Sequence, residues 1–338
     1  MTKNSIRKRV LVTGGAGYVG SHACKALARA GYVPVVYDNL SRGHAWAVKW
    51  GPLERGDLMN VARLTAVFRK HRPSAVLHFA ALAYVGESVA DPQRYYRNNV
   101  GGTINLLQAM REAMVSKIVF SSTCAIYGVP KKVPIPEHHP QAPLSPYGHS
   151  KRMFEQMLAD AAPAYGLDSV SLRYFNAAGA DPEGEIGEAH DPETHLIPLA
   201  LEVAAGLRPR LAIHGTDYAT RDGTCIRDYV HVADLADAHV LALGYLAKNT
   251  GAAAFNLGNG GGFTVREVIA AAQRVTGKKI PSRSGPRRPG DPPALVGNAA
   301  SARRHLGWRP GYRNLEVIID TAWRWLQSGK GNRWRKKT

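Results

Sequence analysis

The sequence predicts an α/β fold in which a doubly wound parallel sheet is followed by a smaller C-terminal α/β lobe. Three observations indicate this. Short, apolar, β-branched runs alternate with segments of helical periodicity through the first half of the 338 residues. The runs are apolar throughout, as expected for parallel strands that are covered on both faces. A glycine-rich turn at residues 13–20 joins the first run directly to the first helix.

The predicted elements follow in chain order. Strands are predicted at residues 9–13, 33–37, 75–79, 117–122 and 169–174, with a short one before Asp57, and helices at 21–29, 61–70, 98–113 and 147–161. Later helices are predicted at 196–205, 232–246, 264–276 and 315–327, whereas 180–195 and 281–293 are typical of loops. We therefore expect a nucleotide-binding domain over 7–176, a substrate lobe over 177–328 from which some chain crosses back, and a basic tail over 329–338.

Composition limits the class of protein. The chain is 45% hydrophobic, which favours a globular core, and no apolar stretch is long enough to span a membrane. The three cysteines form neither a disulfide framework nor a C-x-x-C site, and the basic N-terminus lacks the apolar run of a signal peptide, so we expect a cytoplasmic protein. The histidines at positions 22, 78, 138, 139, 195 and 231 show no metal-ligand spacing, and no metal site is predicted.

The net charge points to an anionic partner. The formal charge is +18, from 44 basic and 26 acidic residues. Such a surplus attracts nucleic acids, anionic lipids and phosphorylated small molecules alike, so composition does not choose among them.

The glycine-rich turn narrows the choice to a dinucleotide. Gly14, Gly17 and Gly20 permit a tight turn, close approach to a pyrophosphate and close helix packing, which is typical of a Rossmann-type fold. Asp38 ends the second strand, where a carboxylate accepts both ribose hydroxyls and repels a 2′-phosphate, so NAD is favoured over NADP. Asp38 could instead be a turn residue before Asn39, and Asp57 is as compatible with a helix cap as with an adenine contact.

A tyrosine and a lysine form the candidate catalytic pair. Tyr147 and Lys151 stand one helical turn apart, so both side chains share one face, and an ammonium group beside a phenol lowers the phenol pKa. Thr123 follows a predicted strand and can hydrogen-bond a substrate oxygen at the sheet edge where such folds bind ligands. The Tyr-x-x-x-Lys pattern alone is weak, since a half-buried tyrosine and a solvated lysine produce it too.

Several segments together resemble the extended short-chain dehydrogenase/reductases and, more narrowly, the UDP-glucose 4-epimerase family. They are GGAGYVGSH (14–22), HFAALAYVGESV (78–89), FSSTCAIYG (120–128), SPYGHSK (145–151), LRYFNAAGA (172–180), DGTCIRDYVHVADLADAH (222–239), FNLGNG (255–260) and RRPGD (287–291). The resemblance covers residues 9–328 and implies an NAD-dependent isomerase, commonly dimeric, that interconverts UDP-glucose and UDP-galactose through a 4-keto sugar.

The resemblance also implies roles for individual residues. Tyr147 would exchange a proton with the sugar 4-hydroxyl, Lys151 would keep the phenol acidic, and Thr123 would hydrogen-bond oxygen O4. The cofactor would contact Gly14, Gly17, Tyr18, Val19, Gly20, Asp38, Asn39, Asp57, Leu58, Phe79, Ala80, Ala81, Asn98, Tyr147, Lys151 and Tyr174. The UDP-hexose would contact Thr123, Tyr147, Asn176, His195, Leu196, Arg227, Arg288, Asp291 and Leu295. Arg227 and Arg288, taken singly, are more typical of solvated surface arginines than of ligand contacts.

Two departures and three alternatives accompany this interpretation. Ala83 stands where the family often has a lysine that contacts the NAD ribose, and Leu295 stands at a gate position that is often tyrosine, which leaves room for a 2-acetamido group. A nucleotide-sugar 4,6-dehydratase is the rival enzyme, but Cys124 and Ala125 replace the Asp-Glu typical of dehydratases. A simple ketoreductase, which must exchange its cofactor, is disfavoured. The rival from another class is a basic nucleic-acid-binding protein; no binding module supports it, and neither nucleic acid nor membrane is expected as a partner.

Overall fold

A computed structural model describes residues 8–288 and 291–330. The strands are β1 (Arg9–Thr13), β2 (Val33–Asp38), β3 (Leu53–Arg55), β4 (Ala75–His78), β5 (Lys117–Thr123), β6 (Asp168–Tyr174), β7 (Asn176–Ala178), β8 (Leu211–His214), β9 (Ile226–Arg227), β10 (Tyr229–His231), β11 (Ala252–Leu257), β12 (Phe263–Thr264), β13 (Ser282–Gly285) and β14 (Ala294–Leu295). The α-helices are α1 (Tyr18–Arg29), α2 (Val61–His71), α3 (Val85–Ala90), α4 (Pro92–Tyr95), α5 (Gly102–Glu112), α6 (Pro146–Tyr165), α7 (Leu196–Ala204), α8 (Val232–Leu246), α9 (Val265–Thr276), α10 (Ala300–His305) and α11 (Leu315–Gln327).

A parallel sheet of seven strands organises the molecule. Its strand order is β11-β6-β5-β4-β1-β2-β3, and every neighbouring pair is parallel. Alternate residues of one strand face opposite sides, so Val10 and Val12 join the core under α1 and α8, whereas Leu11 joins the core under α2, α5 and α6. Burial on both faces explains the continuous apolar runs, and the predicted doubly wound α/β fold is confirmed.

The second lobe is built from short pieces. A two-stranded sheet (β10-β7), a three-stranded sheet (β12-β9-β14) and another two-stranded sheet (β13-β8) surround a core shared by α7, α9 and α11. Two elements beyond residue 176 belong to the main sheet and its core: β11 pairs with β6 at the edge of the sheet, and α8 packs against it. The boundary at residue 176 stays a prediction.

The structure corrects several element bounds. The first helix begins at Tyr18 rather than Ser21, because Gly17 already serves as its N-cap within the glycine-rich segment. The helix predicted over 98–113 is a π-helical turn (Tyr96–Gly101) followed by α5. Sequence periodicity missed α3 and α4, which are too short to show a period, although Asp91 caps α4 and Pro92 begins it. The helix α10 was missed for the same reason.

Two further predictions concern the ends and the membrane. No helix within residues 8–288 or 291–330 is long and apolar enough to cross a bilayer. Most of the predicted basic tail, residues 331–338, lies outside the described residues.

Candidate active site

A cavity of about 300 Å³ opens at the carboxyl ends of β1 to β6. Every predicted cofactor residue except Lys151 lines it: Gly14, Gly17, Tyr18, Val19, Gly20, Asp38, Asn39, Asp57, Leu58, Phe79, Ala80, Ala81, Asn98, Tyr147 and Tyr174. Thr123, Asn176 and His195 line it as well. A parallel sheet brings these distant segments together because all of its strands end at the same edge.

A larger cavity lies at the opposite end of the sheet. It has a volume of about 630 Å³ and is lined by Lys8, Ser74 and Lys117, among others, near the amino ends of β1, β4 and β5. None of the predicted site residues lines it. Because open α/β sheets bind ligands at their carboxyl ends, the smaller cavity is the candidate site.

The glycine turn has the geometry that a pyrophosphate needs. Gly14 has a φ of +73°, and a Cβ there would lie 2.5 Å from the Ala80 nitrogen; a Cβ on Gly20 would lie 2.2 Å from the Gly14 oxygen. Gly17 is less tightly packed, with its nearest contact at 3.2 Å. No side chain of the described residues caps the N-terminus of α1. At this turn the backbone borders the cavity directly, and the first N–H groups of α1 have no side-chain hydrogen-bond acceptor among the residues that the structure describes, so the turn can bind an anion.

The two aspartates of the cavity have different local roles. Asp38 is 8% exposed; its Oδ2 accepts a hydrogen bond from the Ala16 nitrogen at 3.0 Å and its Oδ1 from the Leu40 nitrogen at 2.8 Å. Burial raises its pKa. Asp57 accepts from the Met59 nitrogen at 2.8 Å, which is a turn-forming contact, and its second oxygen binds the Asn39 amide at 2.7 Å. Asp57 thus takes part in the turn before α2 and also lines the cavity.

Tyr147 and Lys151 lie on one face of α6, as predicted. The Lys151 Nζ is 5.9 Å from the centre of the Tyr147 ring and donates a hydrogen bond to the Ser121 carbonyl at 2.8 Å. Lys151 is 5% exposed and lies behind the cavity wall. The Thr123 side chain, at the end of β5, lines the same cavity and is close enough to the Tyr147 hydroxyl to lower its pKa. The three predicted catalytic residues therefore form one continuous group.

The predicted lowering of the phenol pKa is not observed. Burial, with a smaller contribution from Tyr174, raises the pKa of Tyr147 well above its ordinary value, and only the Thr123 side chain opposes this rise. Burial also lowers the pKa of Lys151 to about 7, although the Glu155 carboxylate opposes that change. The four-residue spacing predicts that Tyr147 and Lys151 lie close together, but it does not reveal that burial has the larger effect on the pKa of the Tyr147 phenol.

A buried ion pair between Glu155 and Arg173 lies next to the three candidate catalytic residues. The Glu155 carboxylate, one turn beyond Lys151, binds the Arg173 guanidinium of β6 through contacts of 2.5 to 3.1 Å. The same carboxylate accepts a hydrogen bond from the Ser122 hydroxyl next to Thr123. The pair thus ties α6, β5 and β6 together where they carry the candidate catalytic residues.

The predicted substrate residues divide into two sets. Asn176 and His195 line the cavity, whereas Leu196, Arg227, Arg288, Asp291 and Leu295 do not. Arg227 is paired with Asp291. The Asn176 amide donates to the Asp228 carbonyl at 3.0 Å, which connects the cavity wall to the strand that carries Arg227. Leu295 packs against a small core that includes Phe175, itself a cavity residue.

The structure adds cavity residues that sequence reasoning missed. Arg42, from the loop after β2, donates to Glu87 at 3.0 Å and lies 5.0 Å from the Tyr84 ring centre. Glu188 and His190, from the acidic loop, line the cavity beside His195. The signal in the sequence is the Glu-x-His pattern that occurs twice in that loop, at 188–190 and 193–195.

His195 belongs to a compact charged group. Its Nδ1 lies 2.8 Å from Glu193 and 2.9 Å from Glu188, and His190 Nδ1 lies 2.8 Å from Glu188. Burial lowers the pKa of His195, but the two carboxylates outweigh it and raise the pKa to about 10. The fold therefore brings His195 together with His190 and two glutamates, which the sequence analysis did not predict, whereas the expectation that the protein has no metal site stays a prediction.

Comparison with known proteins agrees with this site. A model of the NAD dependent epimerase/dehydratase family matches residues 10–258. The UDP-glucose 4-epimerase of Rhizobium leguminosarum bv. trifolii is 55% identical over 316 residues, which are 94% of this chain and 96% of the relative.

Two solved structures are similar throughout. The UDP-glucose 4-epimerase from Brucella ovis in complex with NAD has a TM-score of 0.91 at 55% identity and covers 94% of this chain and 98% of its own. The enzyme from Bifidobacterium longum in complex with NAD+ and UDP has a TM-score of 0.92 at 37% identity, with 96% and 99% covered. The chain therefore belongs to the NAD dependent epimerase/dehydratase family, in its UDP-glucose 4-epimerase branch.

Proposed function

We propose that the protein is an isomerase that interconverts UDP-glucose and UDP-galactose with NAD as its cofactor. The observation that carries the proposal is the contiguous group of Thr123, Tyr147 and Lys151 beside a dinucleotide-type glycine turn in one cavity. Relatives at 47–55% identity over about 95% of the chain are UDP-glucose 4-epimerases. The Cys124 and Ala125 that follow Thr123 do not offer the acid and base of a dehydratase.

The cavity suits NAD. Gly14 and Gly20 leave no room for a side chain, the N-terminus of α1 is uncapped, and each Asp38 oxygen keeps a lone pair for a ribose hydroxyl beyond its one backbone contact. The other predicted cofactor residues at the ends of the strands would enclose it. When bound, NAD supplies the nicotinamide that takes up a hydride from carbon 4 of the sugar and gives it back.

Side chains of the protein would transfer the proton of the sugar 4-hydroxyl and orient the sugar. Tyr147 would take the proton from the sugar 4-hydroxyl as the carbon–oxygen double bond forms, and would return it after the 4-keto sugar has turned over. Thr123 would hydrogen-bond the same oxygen. A charged Lys151 stabilises the phenolate, and its hydrogen bond to the Ser121 carbonyl at 2.8 Å holds it in place. No net oxidation occurs, so the cofactor need not leave.

The uridine diphosphate would be held mainly by residues of the second lobe. We propose Asn176, His195, Leu196, Arg227, Arg288 and Asp291 for this role, with residues 7–176 as the cofactor domain and 177–328 as the UDP-sugar lobe. Arginine is suited because its planar fork matches phosphate oxygens. Release of Arg227 from Asp291 would free that fork for the ligand.

We further propose that UDP-N-acetylhexosamines are accepted as secondary substrates. Leu295, shorter than tyrosine, packs against the core beneath Phe175 of the cavity wall, so its size would set how far that wall can move. Turnover of UDP-N-acetylglucosamine by the wild type, reduced in Leu295→Tyr while UDP-glucose turnover persists, is the expected result. A wild type with no N-acetyl turnover contradicts it.

The protein is proposed to act as a homodimer. The helices α5 and α6 cover the same face of the sheet, and they leave Ile104 51% exposed and Met153 45% exposed. A second copy would bury these apolar side chains. Light scattering should give a dimer mass for the wild type and a monomer mass for Ile104→Glu/Met153→Glu; a wild type that is monomeric at all concentrations contradicts the proposal.

One assay tests the function. Purified protein incubated with UDP-galactose, without added cofactor, should form UDP-glucose. Tyr147→Phe should lower turnover by about 10² to 10⁴-fold, because it removes the acid–base hydroxyl. Tyr165→Phe is the matched control, since Tyr165 ends the same helix but does not line the cavity. Wild-type turnover in Tyr147→Phe would refute the mechanism.

A further inference from the structure

The loop before α7 carries the sequence Glu-x-His twice. Glu188 and His190 form the first copy, and Glu193 and His195 the second. The fold brings all four side chains together, with one potential ligand atom of each within 4.8 Å of the others. No His, Cys, Asp or Glu occurs outside the described residues. The group is therefore a convergent set of two imidazoles and two carboxylates.

We propose that Glu188, His190, Glu193 and His195 bind one divalent transition-metal cation. The inference goes beyond the proposed function, in which no step uses a metal. Imidazole nitrogens combined with carboxylate oxygens are a donor set typical of Zn²⁺ and its neighbours in the first transition row.

The distances between the donors suit a small ion. His195 Nδ1 lies 2.8 Å from Glu193 Oε1 and 2.9 Å from Glu188 Oε1, and His190 Nδ1 lies 2.8 Å from Glu188 Oε1 and 3.8 Å from Glu193 Oε2. In a tetrahedral site with bonds of 2.0–2.1 Å, ligand atoms are about 3.3 Å apart. The side chains need to separate by only about 0.5 Å for the closest pairs to admit an ion.

The loop is held in this shape from outside the group. The Trp325 indole donates to the Glu188 carbonyl at 2.9 Å, and the Arg42 guanidinium donates to the Asp191 carbonyl at 2.7 Å. His44 is hydrogen-bonded to the Ala189 carbonyl at 2.8 Å. Ligands that are already positioned lose less conformational freedom when an ion binds, which favours binding.

Ring packing and backbone contacts fix individual ligands as well. The His190 ring packs edge-on against Tyr18, with ring centres 5.9 Å apart, and against Tyr84 at 6.0 Å. Glu193 Oε1 accepts the backbone N–H groups of Thr194 and His195 at 2.7 and 2.8 Å. These contacts therefore position the His190 ring and one Glu193 oxygen before any ion binds.

A second acidic group in the same loop makes a useful contrast. Asp181, Glu183 and Glu185 also converge, but the Lys25 ammonium lies among them at 2.8, 2.7 and 2.6 Å. That group already holds a cation of the protein itself. The ion pairs of Glu188 and Glu193 within the described residues are instead made with the two histidines, which are themselves metal ligands.

The test measures metal binding by the full chain without an affinity tag. After chelator treatment, the wild type dialysed against micromolar Zn²⁺ should take up one ion per chain. His190→Ala and His195→Ala should each weaken binding at least ~10-fold, since each removes a ligand. His138→Ala, which removes an exposed histidine elsewhere, should bind as the wild type does. Circular dichroism checks that the variants fold.

The visible absorption spectrum of wild-type protein loaded with Co²⁺ tests the ligand types without any substitution. Four-coordinate binding by nitrogen and oxygen should give an intense visible absorption without a thiolate band. Glu193→Gln keeps one acceptor oxygen for the loop N–H groups and replaces the second oxygen, a proposed metal ligand, with an uncharged NH₂ group, so weakened Zn²⁺ binding by this folded variant supports the site. The proposal would be overturned by no uptake of Zn²⁺ by the wild type, by unchanged uptake in folded His190→Ala and His195→Ala, or by a cobalt–thiolate band from one of the three cysteines.

Discussion

Removal of the Glu155 carboxylate should destabilise the protein strongly. Glu155 and Arg173 have side chains only 9% and 7% exposed, and they share contacts of 2.5 to 3.1 Å. In Glu155→Met the guanidinium keeps its hydrogen bonds to the Tyr127 hydroxyl and the Glu137 carbonyl but loses its counter-charge. A buried charge left without its partner costs about 3 to 5 kcal/mol, so we expect the free energy of unfolding to fall by about 4 kcal/mol.

The double variant distinguishes loss of a partner from loss of packing. Glu155→Met combined with Arg173→Met removes both charges and leaves two apolar side chains of similar length, an exchange that is often neutral in protein interiors. The unpaired groups left behind, chiefly the Ser122 hydroxyl, should cost about 1 to 2 kcal/mol. Urea denaturation of both variants at pH 7, at equal NAD concentration, gives the two values. A double variant less stable than Glu155→Met would refute the reasoning.

The same substitution should change the pH dependence of catalysis. Burial lowers the pKa of Lys151 to about 7, and the Glu155 carboxylate is the group that holds it up. Without that carboxylate the pKa of Lys151 falls further, so less ammonium remains at neutral pH to stabilise the Tyr147 phenolate. The alkaline limb of turnover against pH should therefore move to lower pH in Glu155→Met. An unmoved limb would show that the charge of Lys151 does not control the phenol.

Three further outcomes follow from single contacts. Lys151→Met should unfold at higher urea than the wild type at pH 6 and lose this advantage toward pH 10. Burial lowers the pKa of Lys151 from 10.5 to about 7, so keeping it as an ammonium below pH 7 costs the folded wild type up to about 5 kcal/mol; the variant avoids this cost but loses a hydrogen bond that contributes about 1 to 3 kcal/mol. Equal stability of the two proteins at both pH values would contradict this. Gly20→Ala should not retain NAD on purification, because its Cβ would lie 2.2 Å from the Gly14 oxygen. The Cβ of Gly17→Ala would lie 3.2 Å from its nearest atom, so that variant should still fold. Normal NAD retention by Gly20→Ala would show that the turn can relax. Asp38→Asn removes the negative charge and keeps one acceptor oxygen, so only one of the two backbone hydrogen bonds of Asp38 can remain. The ratio of the Kd for NADP to that for NAD should decrease, and a ratio unchanged in a binding titration would remove Asp38 from cofactor selection.

The features predicted correctly are those that local sequence encodes. A glycine turn between a strand and a helix constrains its own backbone, so Gly14 and Gly20 could be assigned before any contact was known. The four-residue separation of Tyr147 and Lys151 fixes a shared helix face wherever the helix lies. Parallel strands then carry Thr123 and Asp38 to one edge without further information.

The features that were missed depend on the surroundings of a residue. The elements packed around Tyr147 bury it, and this burial is the main cause of its raised pKa, which the spacing to Lys151 does not reveal. The convergence of His190 and His195 depends on a loop held by Arg42 and Trp325, which lie far away in sequence. Sequence reasoning that compares only like residues cannot find a mixed set of donors.

The basic surplus of the chain does not lie in the cavity. Among the described residues that line it, Asp38, Asp57, Glu87 and Glu188 are acidic and Arg42 is the one arginine or lysine. Six basic residues lie in the undescribed ends, at positions 3, 7, 333, 335, 336 and 337, so most of the surplus of +18 belongs to the described body of the protein outside this cavity. Charges on that surface act on a dianionic ligand only over about one Debye length, ~8 Å at physiological ionic strength. We therefore expect them to affect how fast a UDP-sugar arrives, whereas the residues proposed for the uridine diphosphate, among them Arg227 and Arg288, would decide how long it stays bound.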